Sequence, residues 1–338
     1  MSLREILALD QCKISQALID KGGRVWKEWK SLTEGQDRYY ETVSITLVGK
    51  YTNLHDSYLS VIKSLEHSAM RCRKKLKLVW VEATHLEEQT AKEDPAAYHK
   101  AWHSVCVANG ILVPGGFGTR GTEGMIAAAH WARTNQVPYL GICLGLQIAV
   151  IEFARNVCGL KEAGSVELSG EDISEPVVIY MPEIDKENLG GTMRLGLKAT
   201  HWQPGSEWSR LRTLYGDADT INERHRHRYE VNPDYVDRLT DKGLSFVGKD
   251  DKGVRMEILE LKDHPWFVGV QFHPEYLSRV LAPSKPYLGF VAASAGCLDE
   301  ITNTMNKQTS SPSNNVTGPD GTMDEVHRLT NGAKGISI

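Results

Sequence analysis

Gly141-Ile142-Cys143-Leu144-Gly145-Leu146-Gln147 constrains this chain more than any other segment. A strand-like run, Val137 to Leu140, leads into it. An apolar helical pattern, Leu146, Ala149, Val150, Phe153 and Ala154, leads out. Glycines on both sides of Cys143 allow a sharp turn between the two, an elbow that lifts the thiol clear of the backbone. The thiol then stands at a helix N-terminus, where the partial positive charge favours thiolate. A strand that turns straight into a helix also implies a sheet with helices packed on it.

The rest of the chain repeats that alternation. Val43 to Val48 reads as a strand, and Tyr58, Val61, Ile62, Leu65 and Ala69 as one face of a helix. Leu76 to Val81 and Gly110 to Val113 read as further strands, and about Glu123 to Thr134 as a helix. Strands alternating with helices predict an α/β fold, a doubly wound, mostly parallel sheet flanked by helices, with ligand loops at the strand ends. Between about Pro176 and Leu261 the pattern shifts to short β runs: Val177 to Met181, Thr192 to Leu197, Phe246 to Lys249 and Arg255 to Leu261. These predict a small antiparallel β layer beside the parallel sheet. Trp266 to Phe272 reads as a last buried strand and Lys285 to Ala295 as a last helix.

Three domains of sequence follow. Residues 1–40 are charged and helical in pattern, with Trp26-Lys27-Glu28-Trp29-Lys30 as an amphipathic piece, and are read as a linker or the remnant of something larger. Residues 41–298 form the main domain. Residues 299–338 are rich in Ser, Thr, Asn, Gly and Pro and are read as a disordered tail. Its Thr309-Ser310-Ser311-Pro312 is a run of the kind that kinases modify.

The formal net charge of −4 gives no sign of a nucleic-acid surface. No apolar run approaches the roughly 18 residues of a membrane span. Six cysteines at positions 12, 72, 106, 143, 158 and 297 show no metal-ligand spacing. No metal site is expected, and the chain is read as cytoplasmic, with its thiols reduced.

Acyl transfer from an amide requires a nucleophile, a base, a group that orients the base, and donors for an oxyanion. Cys143 is the candidate nucleophile. His273 is the candidate base, 130 residues downstream. In an extended segment positions i and i+2 face the same side, so Glu275 is placed to orient the imidazole, with Pro274 stiffening the link and preventing helix. Leu112 to Gly118 is a strand that ends in a glycine turn. The N–H groups of Gly116 and Leu144 are the natural oxyanion pair. Arg224-His225-Arg226-His227-Arg228, read as a strand, puts arginines on one face and histidines on the other. No acidic partner of matching spacing accompanies the histidines.

Pro114-Gly115-Gly116-Phe117-Gly118, the Cys143 elbow and Gln271-Phe272-His273-Pro274-Glu275 together resemble the class I glutamine amidotransferases in order and spacing. Three longer strings, Ile45 to Tyr51, Gly190 to Gly196 and Glu223 to Val231, resemble the glutaminase domains of CTP synthases. The resemblance spans about residues 41 to 298, and residues 1–40 are similar to the linker that precedes that domain. It implies the class I amidotransferase fold, L-glutamine as substrate and ammonia as product. It places glutamine contacts on Gly116, Leu144, Gly145, Leu146, Gln147, Glu167 and Arg228. Glu167 and Arg228 suit a zwitterion, an anion for its ammonium and a cation for its carboxylate. Gly118 to Gly121 corresponds to a loop that resembles a lid. The resemblance further implies a partner synthetase domain that uses ATP, Mg and UTP to make CTP, GTP as activator, and a homotetramer. The sequence contains no G-x-x-x-x-G-K-S/T phosphate loop, so none of these cofactors is expected in this chain, which alone is expected to hydrolyse glutamine and not to aminate UTP. Two other readings of the residues stay open: a γ-glutamyl peptidase-like thiol hydrolase on the same fold, and a non-catalytic regulatory module.

Overall fold

The computed structural model describes residues 15–35, 39–52, 54–170, 172–182 and 193–309. A nine-stranded sheet carries the main domain in the order β2-β1-β3-β4-β12-β11-β10-β7-β8. Its first five strands run parallel: β1 (Thr42–Gly49), β2 (Lys75–Glu82), β3 (Gly110–Val113), β4 (Tyr139–Ile142) and β12 (Phe267–Val270). The remaining four, β7 (Arg194–Trp202), β8 (Thr220–His227), β10 (Ser245–Lys249) and β11 (Met256–Glu260), run antiparallel. A separate three-stranded sheet joins β5 (Ala163–Ser165), β6 (Glu175–Tyr180) and β9 (Tyr229–Val231).

The sequence reading put the short β runs in one layer beside the parallel sheet. Three of them instead extend the main sheet, and only the run at Val177 enters the small one. Hydrogen bonding decides this: β11 pairs with β12 through Ile258 and Val270, so the antiparallel half has a parallel edge to build on. Thr192 and the rest of 183–192 lie outside the described residues, as does the serine-rich run from 310 on.

Burial follows position in the sheet. Strands β3, β4 and β12 are central and buried at every residue. The edge strand β2 exposes Lys75 and Lys77, which discourages further pairing. The other edge, β8, alternates strictly between exposed and buried residues.

Helices α1 (Gln16–Thr33), α2 (Leu59–Arg71), α3 (Glu88–Glu93), α4 (Pro95–Cys106), α5 (Thr122–Thr134), α6 (Leu144–Asn156), α7 (Val166–Ser169), α8 (Arg210–Leu214), α9 (Pro233–Thr240) and α10 (Lys285–Ser294) complete the unit that ends at Leu298. Helix α6 is buried from Leu144 to Ala154 and packs on β4 and β12. Helices α2 and α10 pack against each other. Helix α1 starts at a Ser15 cap and buries only Leu32. A further helix, α11 (Leu298–Thr309), occupies the start of the segment read as disordered. Its Ile301, Met305 spacing was too short a signal to outweigh the polar composition. No helix of the described residues is long and apolar enough to cross a membrane.

Candidate active site at the Cys143 elbow

The elbow forms where β4 ends and α6 begins. Cys143 itself carries the unusual backbone, with φ at 52° and ψ at −99°. A non-glycine residue in that region stores strain of about 1–3 kcal/mol, held here by the surrounding packing. The flanking glycines serve another purpose than the flexibility expected of them. A Cβ on Gly141 would lie 2.5 Å from the Gly145 carbonyl carbon, and one on Gly145 would lie 2.1 Å from the Val113 carbonyl oxygen. Their missing side chains let α6 sit directly on β3 and β4. The Cys143 N–H donates to the Val270 carbonyl at 2.7 Å, which ties the elbow to β12.

His273 lies at the end of β12, and its N–H donates to the Arg224 carbonyl at 2.7 Å. Its Nδ1 is 2.7 Å from Glu275 Oε1. The link differs from the extended one expected: Pro274 occupies the first position of a 3₁₀ turn, Pro274–Leu277, with His273 as its cap. Proline lacks only an N–H that a first turn leaves unbonded, so it starts this turn instead of preventing it. Burial opposes charge on His273, but the Glu275 charge and hydrogen bonds to Cys143 and Glu275 win. The imidazole is held well above its ordinary pKa, as an imidazolium beside the thiol. The Tyr276 ring stacks on it, centroids 5.5 Å apart.

A cleft of about 470 Å³ opens onto these groups, lined by Gly115, Gly116, Cys143, Arg226, His273 and Tyr276 among others. Gly115 passes so close to the imidazole that a Cβ there would lie 2.8 Å from His273 Cε1. Gly116 follows at the cleft wall, and Leu144 begins α6, where first-turn N–H groups have no intrahelical acceptor. Gly145 and Leu146 are buried beneath the elbow, with Leu146 against Gly269. Gln147 is buried too, and its Nε2 donates to the Gln271 Oε1 at 3.3 Å and the Tyr229 carbonyl at 3.4 Å.

Glu167 and Arg228 do not line this cleft; both meet the Phe117–Gly118 loop, whose Phe117 forms part of its wall. Glu167 sits on the short α7, whose Ser165 cap accepts the Glu167 N–H at 3.2 Å. Its carboxyl is pushed up by burial and pulled back by the Gly118 N–H, Lys50 and Arg228. Gly118 N–H donates to Glu167 Oε1 at 3.0 Å, and the Arg228 guanidinium carbon lies 5.8 Å from the Phe117 ring centre. The expected alternation holds within β8, where Arg224 and Arg226 are exposed and His225 and His227 buried. Arg228 falls in the break before β9 and is half-buried.

Two residues at the site escaped the sequence reading. Lys50, at the end of β1, is buried and donates through Nζ to the carbonyls of Phe117, at 3.3 Å, and Gly118. Burial brings its pKa down to about 8 despite the nearby Glu167. Gln271 Nε2 lies 3.5 Å from Cys143 Sγ. Both stand inside motifs already quoted, but a polar residue at a strand end gives no signal of which way it points.

The histidines also acquire an acidic partner. His225, His227 and Glu257 place their ligand-type atoms within 4.8 Å of one another. Glu257 comes from β11, so no spacing rule reveals it. His227 Nδ1–H donates to the Tyr229 carbonyl at 2.9 Å, which leaves its Nε2 to accept from His225 Nδ1–H at 3.1 Å. Burial holds His225 down to about 2 and His227 to about 3, so both are neutral. Burial also lifts Glu257 to about 8, against the pull of Arg194 at 3.2 Å.

Comparison with known proteins follows the same outline. The family model for glutamine amidotransferase class-I matches residues 53–293. The chain is 64% identical to the CTP synthase of Neurospora crassa over 300 residues, covering 89% of this chain and 51% of that protein. It is 64% identical to the CTP synthase of Schizosaccharomyces pombe over 294 residues, 87% of this chain and 49% of that one. The chain therefore spans about half the length of the curated relatives it matches. Among solved structures, the glutaminase domain of Trypanosoma brucei CTPS with bound acivicin is 37% identical, with a TM-score of 0.68, covering 75% of this chain and 94% of that one.

Proposed function

This chain belongs to the class I glutamine amidotransferase family, as a glutaminase domain of the CTP synthase kind, and from that premise we propose that it hydrolyses L-glutamine with Cys143, His273 and Glu275. The observation that carries the reading is the buried His273–Glu275 pair, 2.7 Å apart, poised beside a cysteine on a strained elbow. The Cys143 thiolate attacks the side-chain amide carbon. The N–H groups of Gly116 and Leu144 receive the oxyanion. The His273 imidazolium gives its proton to the departing nitrogen, which leaves as ammonia. A thioester remains. Neutral His273 then takes a proton from water, the resulting hydroxide opens the thioester, and glutamate departs. Glu275 fixes the imidazole tautomer throughout. Glu167 takes the substrate ammonium and Arg228 its carboxylate, while Gly145, Leu146 and Gln147 shape the wall behind the thiol.

In the whole protein the ammonia serves a synthetase domain that aminates UTP to CTP with ATP and Mg, under activation by GTP, in a cytoplasmic homotetramer. Residues 1–40 then link the two domains, residues 41–298 form the glutaminase and residues 299–338 trail from it. The half-length match to CTP synthases supports this arrangement.

The test is ammonia release from glutamine with the synthetase domain supplied. Cys143→Ala abolishes it, and a glutamine-analogue electrophile labels Cys143 in the parent protein. Failure of both overturns the reading.

A further inference from the structure

Glu275 turns only one carboxylate oxygen, Oε1, toward His273. Its Oε2 is buried without a well-aligned donor, and the Tyr287 hydroxyl, on α10, is likewise buried without a well-aligned acceptor. Tyr287 is fully buried, α10 packs against the 3₁₀ turn that bears Glu275, and the Glu275 charge acts on the phenol. Two buried polar groups that lack other partners, on elements packed against each other, are each other's natural partner. We propose that Tyr287 is a positioning residue: its hydroxyl donates to Glu275, keeps that carboxylate aimed at His273, and so keeps the imidazolium opposite Cys143.

The other groups around Glu275 do not supply this bond. Ser64 on α2 donates to the Glu275 backbone carbonyl, at 3.3 Å. Glu223 on β8 acts on Glu275 only as a like charge, its own Oε1 accepting from Tyr215 at 2.6 Å. Tyr276 stacks its ring on His273, and its hydroxyl makes no hydrogen bond to Glu275 Oε2. Burial and the Glu275 charge hold the Tyr287 phenol well above its ordinary pKa, so it stays a donor at any working pH. Without that donor the carboxylate is free to turn from His273, and the charge and hydrogen bond that hold the imidazolium weaken.

The inference rests on the Cys143–His273–Glu275 assignment and not on the identity of the substrate. Its test is the rate of Cys143 alkylation by iodoacetamide in the full chain, read by peptide mapping between about pH 5.5 and 9. Tyr287→Phe, which removes one oxygen from the side chain, lowers the rate about tenfold near pH 6.5, the effect of one buried hydrogen bond to a charge. The loss shrinks toward alkaline pH, where thiolate forms without the imidazolium. In a Glu275→Gln background the same substitution changes the rate little, because Tyr287 acts through the carboxylate. A Tyr287→Phe profile that overlays the parent, or an equal loss in both backgrounds, overturns the inference. If the parent protein releases no ammonia from glutamine and the alkylation pattern still appears, the substrate reading falls and the positioning role stands.

Discussion

Gly115→Ala tests the site geometry with one methyl group. The added Cβ would stand 2.8 Å from His273 Cε1 and 3.6 Å from Cys143 Cβ. Carbon atoms in ordinary contact sit about 3.5–4.0 Å apart, so the ring has to retreat by roughly 0.7–1.2 Å. It has little room to do so, with Nδ1 held 2.7 Å from Glu275, the His273 backbone N–H 2.7 Å from the Arg224 carbonyl and Tyr276 stacked on the ring face. Displacing a catalytic group by about 1 Å costs on the order of 10²-fold in rate. Overpacking of this kind costs about 1–3 kcal/mol of stability, a fall in melting temperature of a few degrees for a domain this size by the usual scaling, roughly 2–4 °C per kcal/mol. The assay pairs iodoacetamide alkylation of Cys143 with a thermal melt. Gly116→Ala is the control. Its Cβ would meet Leu144 Cδ2 at 3.5 Å and Lys50 Cδ at 3.8 Å, ordinary contacts remote from the imidazole. Its alkylation profile stays that of the parent even if glutamine binds less well. A Gly115→Ala protein that alkylates within about threefold of the parent, against the 10²-fold expected, refutes the placement of His273 against this turn.

Glu167→Gln raises the KM for glutamine about 10–150-fold, the worth of a hydrogen bond to a charged group, and leaves kcat within a few-fold. A fall in kcat at unchanged KM contradicts the substrate-ammonium role. Glu223→Gln tests a pH-linked cost to stability. Burial raises Glu223 to about 7 in the folded protein, so between its unfolded pKa of about 4.3 and that value the folded state holds a proton that the unfolded state has released. Stability therefore falls as pH rises through that window, and the glutamine variant, which has no charge to bury, gains on the parent between about pH 4.3 and about 7. A melting-temperature difference that does not change with pH rejects this.

The parallel half of the fold was legible because each of its strands is a short apolar run set between helical patterns, as at Gly110 to Val113. The antiparallel half was read as strands but placed in the wrong sheet, because pairing partners such as Ile258 and Val270 are set by hydrogen bonds that leave no mark on either strand's own pattern. Helix α4 went unread: its Pro95 start and Asp94 cap are clear once seen, but His, Trp and Lys interrupt its apolar face and bury only Ala101 and Val105. At the site, the elbow at Cys143 and the approach of Glu275 to His273 were legible, because the elbow motif is specific and Glu275 is only two residues from His273. The Tyr287–Glu275 and His225–Glu257 approaches could not, since each joins residues from different elements. The glycine turn at Gly115 was read for its backbone N–H groups, and its neighbours show a further requirement, the lack of a Cβ beside the imidazole.

The glutamine variant at Glu167 is informative because the chain's own loop already contacts the two charges chosen for the substrate. Gly118 N–H donates to Glu167 and the Phe117 ring faces Arg228, while Lys50 holds the carbonyls of the same two loop residues. Arg120 fixes the loop's far side through Glu82 at 2.7 Å. A charge buried without a partner is costly, so these contacts stabilise the site before substrate arrives. They are weak ones. The Gly118 amide supplies a dipole to Glu167, with the charges of Lys50 and Arg228 acting from outside hydrogen-bond reach, and a ring face supplies about 0.5–2 kcal/mol to a guanidinium. An ammonium and a carboxylate offer full charges to the same groups, so exchanging the loop for the amino acid is favourable at both ends. Glutamine at position 167 keeps an acceptor for Gly118 N–H and discards the charge. It therefore preserves the loop contact while removing the advantage of the substrate, which is why its effect belongs in KM.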